Sequence, residues 1–134
     1  TSHGERHEKL EMLMGKGVVD FVQFTYNIID REAEQRLLPM ALERGIAVIV
    51  NRPFRRSLVF DRVRNLPLPS WAAEFGAQNW AQFFLKFTVS HRAVTCAIPA
   101  TSRIDHMMQN MGAMTGELPD PRMRRRMAEY YGAL

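Results

Sequence analysis

The chain has 134 residues and a mass of 15.5 kDa, with 46% hydrophobic, 10% aromatic and 24% charged residues. This ordinary globular mixture excludes disordered, collagen-like and low-complexity chains, and its length allows one domain while falling well short of the roughly 250 residues of a closed eight-stranded α/β barrel. Eighteen Lys and Arg against 14 Asp and Glu give a net charge of +4, and 15 of those cations are Arg, a bias that suits bidentate contact with phosphate or carboxylate.

No apolar run approaches a membrane span, and the stretch from Thr1 to His7 is polar, so a soluble chain without membrane contact and with a cytoplasmic location is expected. Cys96 is the sole cysteine, which excludes an internal disulfide framework and a cysteine-based zinc site.

Glu5 to Met14 places Leu10, Leu13 and Met14 at helical spacing, with Gly15 and Gly17 as stops. Val18 to Tyr26 is rich in β-branched and aromatic residues and reads as a strand. Val19, Phe21, Gln23 and Thr25 share one face of it, which turns polar towards its C-terminal end. Asp30 is an expected N-cap for a helix through Glu43, within which Pro39 either makes a kink or opens a second part. Gly45 closes it, and Ile46 to Val50 is a continuous apolar run, the pattern of a strand buried on both faces.

Asn51 to Pro69 is a long Arg- and Pro-containing connection of the kind that carries function or a short helix. Ser70 is an expected cap for a first turn through Phe75. Asn79 with Gln82 forms a capping-box pattern, and Trp80, Phe83, Phe84 and Phe87 follow on one helical face that reads as core. Val94 to Ile98 is another buried-type strand, with Cys96 as a core thiol. Ser102 with Asp105 then starts a helix carrying Ile104, Met107, Met108 and Met111. Asp120 and Pro121 open a final helix to about Tyr131, on which Arg122, Arg124, Arg125 and Arg126 read as a solvated face rather than a nucleic-acid surface. Strands alternating with helices define an α/β fold with a parallel sheet and right-handed crossovers.

Ligands of such folds sit beyond the C-terminal strand ends. That selects Gln23 to Asn27, Asn51 to Arg56 and Pro99 to Asp105, where polar or cationic residues follow apolar strands. The Thr101 to Ile104 turn offers free backbone N–H groups, which read equally as an anion site or as a hydrated cap. His3, His7 and Glu8 lack a metal motif and a third ligand. No glycine-rich phosphate loop or nucleophile elbow follows any strand.

Several ordered segments carry a resemblance: Asp20 to Arg31, Leu37-Leu38-Pro39, Glu43 to Ile49, Ser90-His91, Val94 to Pro99, and the Ser102 to Asn110 helix. Together they resemble the second half of aldo-keto reductases, (β/α)8 barrels that reduce aldehydes and ketones with NADPH or NADH. The resemblance implies that residues 1–134 form a single partial domain, from the end of strand five through helix eight and a C-terminal helix. It further implies a small-molecule carbonyl substrate and a catalytic Asp, Tyr, Lys and His set contributed by the other half of the barrel. That other half, or self-association, would cover the open strand edges.

Position by position, Gln23 matches the family glutamine that holds the nicotinamide carboxamide, and Thr1 and Ser2 take the place of a Ser-Asn pair with the same job. Asn51 stands where many members have the ring that stacks on nicotinamide. Arg52 replaces a frequent serine in the pyrophosphate loop, where Phe54 also lies, and Arg55 and Arg56 complete an ionic clamp. Ala100, Thr101, His106 and Asn110, with Ser102 and Gln109 beside them, occupy the adenosine and 2′-phosphate positions, with His106 and Arg103 as the cations that meet the 2′-phosphate. NADPH is the implied cofactor, with NADH second. The alternative expectation is a non-catalytic half-barrel that binds a nucleotide or another anion.

Overall fold

The computed structural model describes residues 6–134. Three parallel strands, β1 (Phe21–Thr25), β2 (Ala47–Asn51) and β3 (Cys96–Ile98), pair in chain order with β2 in the middle. Phe21 faces Ala47, Thr25 faces Asn51, and Ile49 faces Cys96. The helices are α1 (His7–Gly15), α2 (Leu37–Arg44), α3 (Trp80–Val89), α4 (Ile104–Met111) and α5 (Pro121–Ala133), joined by short 3₁₀ segments. The parallel α/β class is therefore as the alternating pattern predicts.

Directly paired residues point to the same side of a sheet. One face carries Val22, Phe24, Val48 and Val50, all buried among Leu37, Leu38, Ala41, Phe83, Phe84 and Phe87. The other carries Phe21, Gln23, Thr25, Ala47, Ile49, Asn51, Cys96 and Ile98. Among the described residues this second face stays largely open, with Phe21 63% and Ile98 50% exposed. Two expectations are corrected here. The Ile46 to Val50 run is covered on one face only, and Cys96 is exposed rather than a core thiol, because β-branched composition reports strand propensity and not what lies above each face.

Helix boundaries follow local chemistry where that chemistry is short-range. Asn79 Oδ1 accepts the Gln82 amide at 2.9 Å, and Asp120 Oδ1 accepts the Met123 amide at 2.7 Å with Pro121 as the first helical residue. Gly45 adopts φ +67°, the left-handed cap geometry that glycine reaches without a Cβ penalty. Pro39 sits in the first turn of α2, where its missing N–H has no intrahelical partner to lose. Asp30, Ser70 and Ser102 do not cap. Asp30 instead pairs with Arg55 at 3.2 Å, Ser70 is itself the first residue of its 3₁₀ turn, and α4 begins after Arg103 without a side-chain cap.

The apolar stripe of α4 also departs from expectation. Ile104 and Met108 are 83% and 69% exposed, since no described element packs over that face. By contrast the run of arginines on α5 is not uniformly solvated. Arg124 is buried, with Nη1 donating to the Phe87 carbonyl and to Ser90 Oγ, and Nη2 to the Tyr26 hydroxyl and Glu34. Its guanidinium lies 4.4 Å from the centre of the Phe87 ring. Among the described residues no helix is long and apolar enough to cross a membrane.

Candidate functional site

The C-terminal ends of β1 and β2 are tied together by polar side chains. Thr25 Oγ1 donates to Asn51 Oδ1 at 2.8 Å across the open face. Asn27 Oδ1 accepts the amides of Ile29 and Asp30, an Asx turn, while its Nδ2 donates to Asp30 Oδ2 at 2.9 Å and to the Arg52 carbonyl at 3.1 Å. Asn51 is thus buried and occupied in fixing this junction. Gln23 lies on the same open face one residue pair earlier, half-buried beside Ile49.

The connection that follows β2 is strained. Arg52, Arg55, Arg56 and Ser57 have φ values of 51°, 46°, 54° and 72°, left-handed geometry that costs non-glycine residues about 1–2 kcal/mol each. The turn divides two cavities. On one side, a space of about 350 Å³ is lined by Phe54, Ser57, Phe60, Trp80, Thr101, His106, Gln109 and Asn110, among others. On the other, a space of about 490 Å³ is lined by His7, Thr25, Asp30, Glu32, Arg52, Arg55, Arg56 and Leu58.

The first cavity has an aromatic wall and a polar floor. Phe54 and Phe60 lie 5.1 Å apart between ring centres, Phe60 meets Phe84 edge-on at 5.5 Å, and Trp80 is anchored by its indole N–H on the Leu66 carbonyl at 2.8 Å. Gln82 Nε2 donates to the Gln109 carbonyl at 3.2 Å, which holds α4 against α3. The approach is close enough at Gly112 that a Cβ there would meet that amide at 2.2 Å.

The structure gathers five of the expected site residues, Phe54, Thr101, His106, Gln109 and Asn110, into the first cavity, and places Arg52 in the second. Gln23 and Asn51 lie on the open sheet face and line neither cavity, Ser102 is exposed outside either lining, and Ser2, with Thr1 and His3, falls outside the described residues. Arg103 does not line the cavity. Its Nε and Nη2 grip Asp105 at 3.0 and 2.6 Å, and this pairing with Arg103 draws the Asp105 carboxyl down to about 2. His106 is therefore the one cationisable side chain in that lining.

Sequence reasoning placed Thr25 among the strand-end candidates but missed Trp80 and His7 as site residues. Thr25 was visible as the polar end of its strand face. Trp80 belonged to an apolar stripe that reads as core, yet its indole lines the first cavity. His7 Nε2 is buried with no hydrogen-bond partner among the described residues, a property that only the fold creates.

Comparison with known proteins places the chain. The sequence model of the aldo/keto reductase family matches residues 2–128, nearly the whole chain, and the protein belongs to that family. Its structure is similar to that of a thermostable aldo-keto reductase solved with the inhibitor epalrestat, at a TM-score of 0.65 and 24% identity over 81% of this chain and 39% of that one. It is also similar to an aldo-keto reductase from Bacillus halodurans. The holo form gives a TM-score of 0.70 and 20% identity over 92% of this chain and 44% of that one, and the apo form 0.67 and 19% over 92% and 47%. At these identities the likeness is one of fold, that of the C-terminal half of the (β/α)8 barrel. The chain spans less than half the length of each of these structures. No curated protein matches it.

Proposed function

We propose that this chain is the cofactor-binding part of an NAD(P)H-dependent oxidoreductase that reduces aldehydes or ketones, with the catalytic Asp, Tyr, Lys and His contributed from outside this segment. The observation that carries the reading is the convergence of Phe54, Thr101, His106, Gln109 and Asn110 on one cavity, separated by a single turn from a cavity lined by Arg52, Arg55 and Arg56.

The donor set fits a dinucleotide. The aromatic wall and the amides of Gln109 and Asn110 suit adenosine, His106 and Thr101 suit a 2′-phosphate, the arginine turn suits a pyrophosphate, and Gln23 suits a carboxamide. Asn51, engaged by Thr25, presents an amide and no ring, so stacking on nicotinamide falls to another group. When bound, the cofactor supplies the hydride; these residues bind and orient it. The imidazole of His106 favours NADPH over NADH.

Titration of the chain with NADPH, read by quenching of Trp80 fluorescence against a Trp80→Phe control, tests this directly. Binding is expected at submillimolar cofactor, weaker for NADH, and His106→Ala should reduce that difference while Arg55→Ala with Arg56→Ala weakens both. Absence of binding at millimolar NADPH, together with no aldehyde-dependent NADPH oxidation by the complete barrel, would overturn the proposal.

A further inference from the structure

A third cavity, of about 490 Å³, lies away from the cofactor cleft and shares no lining residue with it. It is an open hollow bounded by the β1–α2 connection, the turn after α3 and the start of α5, and its charged lining is Arg31, Arg92, Arg124, Arg125, Glu34 and Asp120. One oxygen of each carboxylate already has a partner. Glu34 Oε1 takes the Tyr26 hydroxyl at 2.5 Å and Arg124 at 3.2 Å, and Asp120 Oδ1 caps α5.

Arg124 is spent on that network, which leaves Arg31, Arg92 and Arg125. Among the described residues none of these three guanidiniums has a hydrogen-bond or ion-pair partner. They come from three segments far apart in the chain, so the fold and not a sequence run assembles them. Pro119 and Pro121 add an apolar wall. Burial first, then Arg124, holds His91 below the usual imidazole range, with Glu34 opposing and Arg92 adding in the same direction.

Three guanidiniums that make no ion pair among the described residues line one hollow, and a tetrahedral oxyanion suits such a set, because each guanidinium offers paired donors to phosphoryl oxygens. We infer that this cavity binds a phosphoryl-bearing small anion through Arg31, Arg92 and Arg125. The site is independent of the cofactor reading.

The full chain is titrated with inorganic phosphate at fixed ionic strength while the His91 ring proton is followed by NMR. A saturable shift of His91 is expected, with the dissociation constant raised about tenfold or more in Arg92→Gln/Arg125→Gln. Both residues are exposed, so the variant should keep the wild-type circular dichroism. The shift should persist in Arg55→Ala/Arg56→Ala, which separates this site from the cofactor turn. A parallel titration with glycerol 3-phosphate distinguishes the sources: tighter binding than phosphate identifies an ester whose organic part rests on Pro119 and Pro121, and equal binding identifies free phosphate. A shift reproduced by chloride, retained in Arg92→Gln/Arg125→Gln, or lost in Arg55→Ala/Arg56→Ala would overturn the inference, as would no shift at all.

Discussion

Arg124 joins α5 to residues 37, 90 and 98 positions away in the chain. Its removal would leave the Tyr26 hydroxyl, the Phe87 carbonyl and Glu34 without their cation in a buried setting. Arg124→Met is expected to cost about 3 kcal/mol, the lower end for breaking a buried pair because the Glu34 side chain is one-third exposed and can regain water. Tyr26→Phe, which deletes one hydroxyl from the same network, should cost about 1 kcal/mol. Urea unfolding of both variants checks the order as well as the sizes. Burial, with Glu34 adding to it, keeps the Tyr26 hydroxyl far above the ordinary tyrosine range despite the opposing Arg124 charge, so Tyr26 remains a proton donor to Glu34 throughout the working pH range.

His91 belongs to the same neighbourhood and titrates in the opposite sense from a salt-bridged histidine. Its folded-state pKa lies below the ordinary value, by burial, then Arg124 and Arg92, against Glu34. The unfolded chain therefore binds a proton near pH 6.5 that the folded chain refuses until lower pH. Stability from this group is intact above about pH 6.5 and falls as pH drops below it. The drop in urea midpoint between pH 7.5 and 5.5 should be smaller in His91→Gln than in the parent chain. None of this was legible in the sequence, where the α5 arginines read as a solvated face, because partners 90 residues apart leave no local spacing to recognise.

At the scale of elements, α3 shows what local chemistry does reveal. The Asn79–Gln82 spacing and the 0, 3, 4, 7 pattern of Trp80, Phe83, Phe84 and Phe87 predict both its start and its buried face, and the cap and the packing are as expected. Asn79→Ala should cost about 1 kcal/mol in urea unfolding, the usual loss for such a cap. Asp30 and Ser102 were also expected caps and do not cap, since a carboxylate with Arg55 in reach has a better partner than a distant amide, and Ser102 lies one residue before Arg103, which holds the cap position of α4. Lys86, in the middle of α3, was also hidden. It is fully buried, and its ammonium bridges the Thr115 and Glu117 carbonyls at 2.6 and 2.8 Å, fastening α3 to the segment after α4.

At the scale of the molecule, the open sheet face and the α4 stripe expose Phe21, Ile98, Ile104, Met107, Met108 and Met111 together with strand edges unpaired among the described residues. Exposed apolar surface and unpaired strand edges drive association. The 134-residue chain is expected to show concentration-dependent self-association in sedimentation velocity, reduced by Ile98→Lys together with Met108→Lys. Phe54 and Thr101 were legible as strand-end positions, which converge in a parallel fold, whereas His106, Gln109 and Asn110 came from the family resemblance alone. The division of the cofactor candidates between two cavities was not legible, because it depends on the left-handed turn at Arg55–Ser57.

The parallel pairing also sets how the chain must reach this state. Thr25 meets Asn51 across 26 residues, and Val48 meets Thr95 across 47, so no strand pair can start from a hairpin and each requires a crossover to close first. Such non-local topology slows folding to roughly the millisecond-to-second range. Until the crossover from β2 to β3 closes, β2, the most aliphatic strand, keeps an unpaired edge on which another copy of the chain can pair.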